Sequence, residues 1–214
     1  DCTTSSLSGS VAGAVFPIWL IKGYRFIYIK CDMSTVSNHG GKHGYMTFQQ
    51  RINGKINFLR EWESYVNGFG NPNGEYWAGL ENILLMTRQS SYELGYGYSL
   101  KRPTLRIDME GWDGFRAYGV YEQFSLYAGR FNYQVTNLGK RTGNAVELGY
   151  SDPLYGEEFT TFDHINEGRT FYWDCPQPTN GGWWFSMCSY ANLNGRYPGP
   201  LETMSVDNIY WRYW

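Results

Sequence analysis

The sequence predicts an α+β protein with an antiparallel sheet, short helices and a C-terminal part built mainly from loops. Apolar residues recur at helical spacing in one stretch near residue 60. Two later stretches, LRIDME at 105–110 and FNYQVT at 131–136, alternate between apolar and polar residues, as half-buried strands do. After about Ser151 both periods fade, and glycine, proline, asparagine and aromatic residues dominate. A composition of 42% hydrophobic residues with 26 glycines fits a folded, loop-rich protein and excludes a disordered one.

The helical spacing predicts a first helix over residues 58–67. Asn57 precedes this stretch as a cap, and Gly68 follows it as a stop signal. The apolar residues that share the predicted face are Phe58, Leu59, Trp62, Tyr65 and Val66. A second short helix is expected from Leu80 to Met86.

The two alternating stretches predict strands of an antiparallel sheet with one buried face. Their apolar positions are Leu105, Ile107 and Met109 in the first stretch and Phe131, Tyr133 and Val135 in the second. Functional sites often sit on loops above such a rigid sheet. The loop-rich last quarter of the chain is therefore where we expect the binding site.

The charge distribution argues against nucleic acid as a partner. The formal net charge is −2, and no basic run or stripe is present to attract a phosphate backbone. Insertion into a membrane is not expected either, because the most apolar stretch, VAGAVFPIWLI, contains Pro17 and is shorter than the roughly 20 residues that a bilayer requires. The chain begins at Asp1 without a methionine or a signal-like segment. We therefore expect a mature or excised piece whose secretion signal lies outside it.

The four cysteines fall into two widely separated pairs, Cys2 with Cys31 and Cys175 with Cys188. No CxxC motif is present and the histidines do not accompany the cysteines, so disulfides are favoured over a zinc site. Four cysteines allow three connectivities. We choose Cys2–Cys31 and Cys175–Cys188, because local closure leaves each pair a loop that the intervening glycines can accommodate. Disulfides imply an oxidising, extracellular compartment.

Three stretches carry a family resemblance: KCDM at 30–33, QQRINGKINFLREWESYVNGFGNPNGEYWAGLENILLMT at 49–87, and GGWWFSMCSYANLNGRYP at 181–198. They resemble the fibrinogen-related domain, the C-terminal globule of fibrinogen chains, ficolins, tachylectins, angiopoietins and many invertebrate immune lectins. The resemblance runs from Cys2 to Trp214. It implies one domain of the fibrinogen C-terminal type and the same disulfide pairing.

The resemblance also divides the sequence into three subregions. Residues 1–45 form a small disulfide-closed N-terminal subregion, 46–150 a central twisted antiparallel sheet with short helices, and 151–214 a loop-rich subregion that carries the binding site. Members of the family continue past a segment like DNIYWRYW into a further strand that returns to the central sheet. We expect that strand to be missing from this chain.

The calcium loop that the resemblance implies is present only in part. Two carboxylates two residues apart would supply side-chain oxygens, and backbone carbonyls the others, because calcium takes roughly six to eight oxygen ligands. Asp163 occupies the first position, but Ile165 occupies the second and offers no oxygen. We therefore expect no cofactor; a residual calcium ion would be held by Asp163, Asn166 and Glu167. The alternative for Asp163, which we favour, is a turn or capping acid that accepts from nearby backbone N–H groups.

The acetyl-sugar pocket that the resemblance implies has lost its defining side chains. In ficolin-like and tachylectin-like members, aromatic side chains form the walls, a histidine follows the second cysteine, and a cis peptide enters that cysteine. Here Ser189 stands at the histidine position, and Thr179 and Ser205 stand where tyrosines are expected. Met187–Cys188 is the candidate cis bond. Because the stretch GGWWFSMC is intact, we expect a pocket that has changed or lost its ligand.

Further aromatic and charged residues near this pocket suit a protein or glycan partner, because Trp, Tyr and Arg concentrate at interface hot spots. They are Trp173, Asp174, Tyr190, Arg169 and Arg196. Tyr190 suits a structural role equally well. Trp183 and Trp184 are expected in the core of the loop-rich subregion instead.

The sequence shows no recognisable catalytic signature. His39 and His43 lie in NHGGKHG, where the glycines favour a solvated loop over a metal-binding helix. GYGYS at 95–99 has no following helix or Lys-Ser/Thr pair and is read as a turn rather than a phosphate loop. With every cysteine assigned to a disulfide, we expect no enzyme. A hydrolase would require Ser189 within hydrogen-bond reach of His164.

These observations favour a secreted, non-catalytic recognition domain of the fibrinogen-related innate-immune type. It would bind a pathogen or cell-surface glycan or protein through its C-terminal loops, with the calcium and acetyl-sugar sites degraded. The alternative is a protein–protein adhesion or receptor–ligand module, and a calcium-dependent acetyl-sugar lectin is the weaker alternative. A flat aromatic-rich surface would favour protein binding, and a preserved concave pocket would favour the first reading. No heptad or Gly-X-Y run is present, so a homo-oligomer would have to use globular surfaces.

Overall fold

The computed structural model describes residues 2, 13–35, 44–89, 103–145, 154–166, 180–185, 191–203, 205 and 207–211. Over these residues the chain forms short strands and two α-helices, and the named strands pair in the antiparallel sense. The α+β class predicted from the sequence is confirmed. The helices of this part of the chain are too short or too polar to cross a membrane.

The N-terminal part is a β-hairpin with a third strand on one edge. Strand β1 (Val15–Leu20) pairs with β2 (Arg25–Asp32), and a single 3₁₀ turn at Ile21–Gly23 joins them. Strand β3 (Tyr45–Thr47) pairs with the other edge of β2. The predicted Cys2–Cys31 disulfide is confirmed and ties the start of the chain to β2.

A second small sheet and both helices follow. The sheet contains β4 (Gln49–Gln50), β5 (Phe69–Gly70) and β6 (Tyr76–Trp77), with β6 in the centre. The helices are α1 (Trp62–Asn67) and α2 (Leu80–Gln89).

The first helix begins four residues later than the sequence predicts, so the predicted start at Phe58 and the cap at Asn57 are wrong. The Asn57 side chain instead accepts a hydrogen bond from the Leu59 N–H at 2.9 Å, which makes a local turn. The Phe58 carbonyl accepts from the Tyr65 hydroxyl at 2.6 Å, and the Phe58 ring is buried. The predicted end is confirmed, because Gly68 adopts a positive φ of 94° and its N–H closes the last turn.

The second helix is three residues longer than predicted. Its last residue, Gln89, is buried, accepts from the Ile21 N–H at 3.0 Å and donates to the Trp19 carbonyl at 3.0 Å. These contacts with the N-terminal hairpin hold the last turn of α2 in place, and the helical period alone does not reveal them.

The third sheet contains β7 (Leu105–Glu110), β8 (Arg116–Tyr121) and β11 (Arg141–Gly143), with β8 in the centre. The first alternating stretch is therefore confirmed as a strand with the predicted bounds. Leu105 and Ile107 are buried, whereas Arg106 and Asp108 point outward and form an ion pair at 2.8 Å. Within the described residues, β7 pairs with β8 only, so its other edge carries no strand.

The second alternating stretch, 131–136, is not a single strand, and that prediction is wrong. Residues Gly129–Phe131 form a 3₁₀ turn, and Asn132 and Tyr133 follow it with positive φ values of 47° and 48°. The chain extends only at β10 (Val135–Asn137), which pairs with β9 (Ser125–Leu126). Tyr133 is buried through tertiary contacts rather than by strand alternation, since its hydroxyl donates to Glu81 and its carbonyl accepts from Trp184.

The C-terminal part is made mainly of loops over the residues that are described, as predicted. Its two named strands are β12 (Ala191–Asn192) and β13 (Tyr210–Trp211), which pair with each other. The predicted Cys175–Cys188 disulfide, His39, His43 and the stretch at 95–99 lie outside the described residues.

An aromatic cluster joins the C-terminal loops to the central part of the molecule. The Phe159 ring lies 4.9 Å from Trp184 and 5.2 Å from Tyr65, and Tyr65 lies 5.6 Å from Trp77. All four side chains are buried. Trp183 is buried as well, so the expectation that both tryptophans of GGWWF belong to the core is confirmed.

The glycine pair that precedes these tryptophans has a steric explanation. A Cβ atom on Gly182 would come within 2.9 Å of Phe159, Thr161 and Tyr65. Gly181 has a φ of 135°, and a Cβ there would lie 2.2 Å from the Asn194 carbonyl oxygen. Glycine at 182 lets the loop approach the aromatic cluster this closely, and glycine at 181 lets it approach the backbone at Asn194.

Candidate functional site

The loop that holds Asp163 caps a helix. The Trp62 N–H, at the start of α1, donates to the two carboxylate oxygens of Asp163 at 2.9 and 3.2 Å. The Thr161 hydroxyl donates to the same carboxylate at 2.7 Å. Glu61, the residue at the cap position, makes no side-chain cap hydrogen bond. Asp163 therefore acts as the capping acid that we favoured over a calcium ligand, although its partner lies about a hundred positions away in sequence.

Among the described residues, the neighbours of Asp163 supply few side-chain oxygens for a calcium site of the type that the resemblance implies. Ile165 is exposed and supplies no oxygen, and Glu167 lies outside the described residues. Asn166 is buried; its side-chain N–H donates to the Thr160 hydroxyl at 3.0 Å, and its side-chain oxygen has no hydrogen-bond partner within the described part of the chain. Across the described ranges, no cluster of three or more His, Cys, Asp or Glu side chains could hold a metal ion. Calcium takes roughly six to eight oxygens, and the side chains of residues 163–166 offer one engaged carboxylate and one buried amide.

His164 is fixed between two other elements. Its ring stacks on Trp62 with the centroids 3.9 Å apart, and its Nε2 shares a hydrogen bond with the Asn132 side chain at 2.9 Å. These contacts give His164 a structural role in holding the loop to α1. Ser189, the nucleophile that a hydrolase would need beside it, lies outside the described residues.

The residues expected in the changed sugar pocket are described at one position only. Ser205 sits in a turn, where its hydroxyl accepts from the Asp207 N–H at 3.3 Å and its carbonyl accepts from the Asn208 N–H at 3.0 Å. The other candidates lie outside the described residues: Trp173, Asp174, Thr179, Met187, Ser189 and Tyr190, together with Arg169 and the predicted cis bond Met187–Cys188. These assignments stay predictions.

The segment 191–203 is anchored to the central part of the molecule by hydrogen bonds from two side chains. Gln49 donates to the Leu193 carbonyl at 2.8 Å, and Arg51 donates to the Gly195 carbonyl at 2.7 Å.

The Arg51 guanidinium also lies over the Phe58 ring, 3.9 Å from its centroid. Burial lowers the pKa of Arg51 to about 10, and the nearby Glu75 carboxylate opposes that shift. Arg51 therefore stays charged at neutral pH.

Glu75 organises the neighbouring turn and was not predicted from the sequence. The backbone N–H groups of residues 52, 53 and 54 donate to one of its carboxylate oxygens at 2.8–3.0 Å, and that of residue 56 donates to the other at 2.9 Å. The side chain is 4% exposed. Burial opposes ionisation, but the four N–H donors outweigh it and lower the pKa of Glu75 to about 2.

Exposed or half-exposed apolar side chains come from three neighbouring segments, the turn after β4, the turn between β7 and β8, and the 191–203 loop. We call them the loop surface: Ile52, Trp112, Tyr197 and Leu201. The Tyr197 hydroxyl donates to the Ile52 carbonyl at 2.6 Å, and its ring centroid lies 6.0 Å from that of Trp112. Trp112 is 60% exposed and Leu201 is 97% exposed. The predicted interface residue Arg196 pairs with Glu202 in the same loop. The sequence marks the two segments separately, as the polar and glycine-rich loop NGRYPGPLE at 194–202 and the turn GWDG at 111–114, but does not show that they meet.

A broad groove runs beside the loop surface. Its volume is about 2030 Å³, and its lining includes β7, residues 44–52 and both tryptophans of GGWWF. Every residue of β7 lines this groove, and within the described residues one edge of β7 carries no partner strand. An open strand edge is a place where a further strand can pair. The concavity is therefore not by itself evidence of a small-molecule pocket.

Known proteins resemble this chain over its whole length. Residues 1–214 match the family described as fibrinogen beta and gamma chains, C-terminal globular domain. Human angiopoietin-2 is 34% identical over 216 residues, and human angiopoietin-4 is 33% identical over 214 residues; each alignment covers 100% of this chain and 39% of the relative. The chain thus spans about two-fifths of the length of these relatives.

Solved structures show the same architecture. The fibrinogen-like globe domain of human ANGPTL2 superimposes with a TM-score of 0.78 at 30% identity, covering 100% of this chain and 90% of that one. The corresponding domain of human ANGPTL6 gives a TM-score of 0.79 at 28% identity, covering 100% of this chain and 86% of that one.

Proposed function

Because the protein belongs to the family formed by the C-terminal globular domains of fibrinogen beta and gamma chains, we propose that it is a non-catalytic, secreted protein-binding module of the receptor–ligand type. Its similarity to angiopoietins and to angiopoietin-like globes supports this reading. The Cys2–Cys31 disulfide supports an extracellular location, because such bonds persist in oxidising compartments.

The observation that carries the proposal is the loop surface. Leu201 is exposed on the loop whose preceding residues, Leu193 and Gly195, are held by Gln49 and Arg51, and Trp112 is exposed in the hydrogen-bonded turn between β7 and β8. Exposed aromatic and aliphatic side chains on a rigid support are typical of protein-binding hot spots, because little conformational entropy is lost when they are buried. The Arg196–Glu202 pair in the same loop supplies a polar rim.

Recognition of a pathogen glycan, the innate-immune reading, receives no support from the angiopoietin-type relatives. The Asp163 carboxylate is engaged in capping α1, and this supports a function that does not depend on calcium. We therefore place protein recognition ahead of the glycan-binding and lectin readings.

The proposal is tested by binding of the fluorescently labelled protein to a panel of cultured cells. We expect binding that mild trypsin treatment of the cells abolishes and that neither N-acetylglucosamine nor calcium chelation reduces. The double variant Trp112→Ser/Leu201→Ser should bind at least about tenfold more weakly, which corresponds to about 1.4 kcal/mol. Tyr155→Ser removes an exposed aromatic residue outside the loop surface and should bind normally.

Two outcomes would contradict the proposal. Binding that survives trypsin but is lost with N-acetylglucosamine or chelator would restore the lectin reading. Equal binding by the wild type and the double variant would remove the loop surface from the interface. Far-UV circular dichroism of each variant shows whether it is folded.

A further inference from the structure

The outward face of the β1–β2 hairpin is an aromatic surface that the proposed function does not use. Side chains alternate along both strands, so Ile18, Leu20 and Ile29 point into the core and are buried. The opposite face carries Pro17, Trp19, Phe26 and Tyr28, which we call the hairpin face. The register places Trp19 opposite Phe26 and Pro17 opposite Tyr28, so the four side chains form one compact block.

The hairpin face is unusually exposed for apolar residues. Trp19 is 41% exposed, Phe26 64% and Tyr28 68%, and Tyr24 at the adjoining turn is 82% exposed. With Ile21 at the same turn, these side chains present roughly 600 Å² of apolar surface, taking about 150–250 Å² for a whole aromatic side chain. That area reaches the upper limit of about 300–600 Å² for the largest patch on a typical monomer. It also approaches the roughly 800 Å² that each partner buries in a standard protein interface.

The side chains that define the hairpin face carry no charge, and two of the cations near it are bonded to other elements. Arg25 donates to the Asn82 side chain of α2 at 2.6 Å, and Lys30, which shares the side of β2 that carries Phe26 and Tyr28, donates to the Gln50 side chain of β4 at 3.0 Å. Lys22 is exposed in the adjoining turn, at the rim of the face.

The hairpin face is also held rigidly. The Gln89 contacts fix the backbone at Trp19 and Ile21, and a Cβ on Gly23 would lie 2.8 Å from Leu85, so the turn packs closely on α2. The rings of Trp19 and Phe26 already contact each other, with their centroids 4.7 Å apart. A preorganised surface loses little entropy when it is buried.

We propose that the hairpin face is a dimer interface on which a second copy of this chain packs the same face. The contact is isologous, with the block of one copy resting on the block of the other about a two-fold axis. With Tyr24 and Ile21 of the adjoining turn included, its area of about 600 Å² per copy lies at the lower end of the range for specific interfaces, and we expect a dissociation constant in the micromolar range. Pairing through the edge of β1 is disfavoured, because Pro17 removes a backbone donor from that strand.

The test is sedimentation equilibrium of the protein from about 1 to 200 µM, since an oligomer follows mass action. We expect a monomer–dimer equilibrium. Phe26→Thr/Tyr28→Thr keeps residues that favour strands and should weaken the dimer at least a hundredfold. The matched control is Tyr127→Thr/Phe131→Thr, which removes another exposed aromatic pair whose ring centroids lie 5.3 Å apart. This control should dimerise like the wild type.

Three results would overturn the proposal. The wild type could stay monomeric at the highest concentration, the control could lose the dimer as completely as the hairpin variant, or the hairpin variant could retain it. A rise in salt from about 0.1 to 0.5 M should leave the dimer intact, because the side chains that pack together are uncharged and salt screens only charges. A dimer that dissociates over this range would point to a charged interface elsewhere.

Discussion

Glu75 shows how a single buried carboxylate can shape a surface. Its four backbone N–H donors come from residues 52–56. In that turn, the Ile52 carbonyl accepts a hydrogen bond from the Tyr197 hydroxyl. The Glu75 carboxylate therefore fixes the 52–56 turn, and that turn positions Tyr197 of the loop surface. Hydrogen bonds to a charged group contribute about 1.5–3 kcal/mol each, so the four donors together hold the turn firmly.

Glu75→Gln is predicted to destabilise the domain by about 3 kcal/mol at neutral pH. The pKa of Glu75 in the folded protein, about 2, lies below the ordinary value of 4.5. Each unit of difference between the folded and unfolded pKa corresponds to about 1.4 kcal/mol of stability. In the wild type this stabilisation is complete above pH 4.5 and is lost as the pH falls from about 4.5 to 2. Urea unfolding over a pH series measures it, and the variant should lose that part of the pH dependence.

Glu110→Gln is the control for this change. Glu110 pairs with Arg116 in an exposed ion pair at 3.2 Å, and such pairs contribute at most about 1 kcal/mol. If both variants lose the same free energy of unfolding, the backbone contacts of Glu75 contribute nothing beyond an ordinary surface charge.

At the scale of elements, helix α1 depends on a residue from a distant segment. A six-residue helix has little stability of its own, because nucleation is costly and each helix end leaves unpaired backbone groups. Asp163 satisfies one of these groups at Trp62, and His164 stacks on the same residue. The 161–166 loop and α1 therefore stabilise each other.

Asp163→Ala is predicted to lower the free energy of unfolding by about 1 kcal/mol, the usual effect of removing an N-terminal cap. Asp163→Asn keeps an oxygen acceptor and should lose less than half as much. Thermal unfolding of the three proteins, with and without calcium, measures both effects. An unchanged melting temperature in Asp163→Ala, or a rise of several degrees on adding calcium to the wild type, would contradict the capping role.

The same elements show which structures the sequence could reveal. Strand β7 was predicted with its bounds, because Leu105 and Ile107 face the core along an uninterrupted alternation. The start of α1 was missed because its cap comes from another segment of the chain. The stretch at 131–136 was missed because alternation alone does not register the positive φ angles at Asn132 and Tyr133. The spacing of apolar residues predicts a helix or strand reliably only where the side chains that are buried in the fold recur at that same spacing.

The candidate site was less predictable than the fold, for a related physical reason. The functional role of Glu75 depends on backbone N–H groups, which every residue except proline possesses, so no side-chain pattern marks it. The loop surface likewise depends on Tyr197 and Trp112 meeting across 85 positions of sequence. Asp163 is the exception, since its acidic side chain in a loop already suggested a cap.

For the whole molecule, the aromatic cluster around Phe159 connects segments that are distant in sequence. Tyr65, Trp77 and Trp184 meet this ring in the interior, and the wider core extends from Cys2 to Trp211. Because these contacts are shared by the central and C-terminal parts, we expect the domain to unfold as one cooperative unit.

Phe159→Ala is predicted to cost about 3–5 kcal/mol, the usual effect of removing a buried aromatic ring. Phe162→Ala, which truncates an exposed ring three positions away, should change stability by less than about 0.5 kcal/mol. Chemical denaturation followed by both circular dichroism and fluorescence measures these effects. Separate transitions from the two probes in the wild type would show that the parts unfold independently.

The positions of the tryptophans give the two proposed surfaces separate optical reporters. Among the described residues, Trp19 and Trp112 are exposed, whereas the buried tryptophans are Trp77, Trp183, Trp184 and Trp211. Iodide quenches an indole only on contact, so among these six it should quench Trp19 and Trp112 and spare the buried four. Self-association through the hairpin face would shield Trp19 and leave Trp112 accessible, and a partner on the loop surface would do the reverse. Trp19→Phe and Trp112→Phe each remove one of the two reporters, so iodide quenching of these variants tells which surface is occupied without any added label.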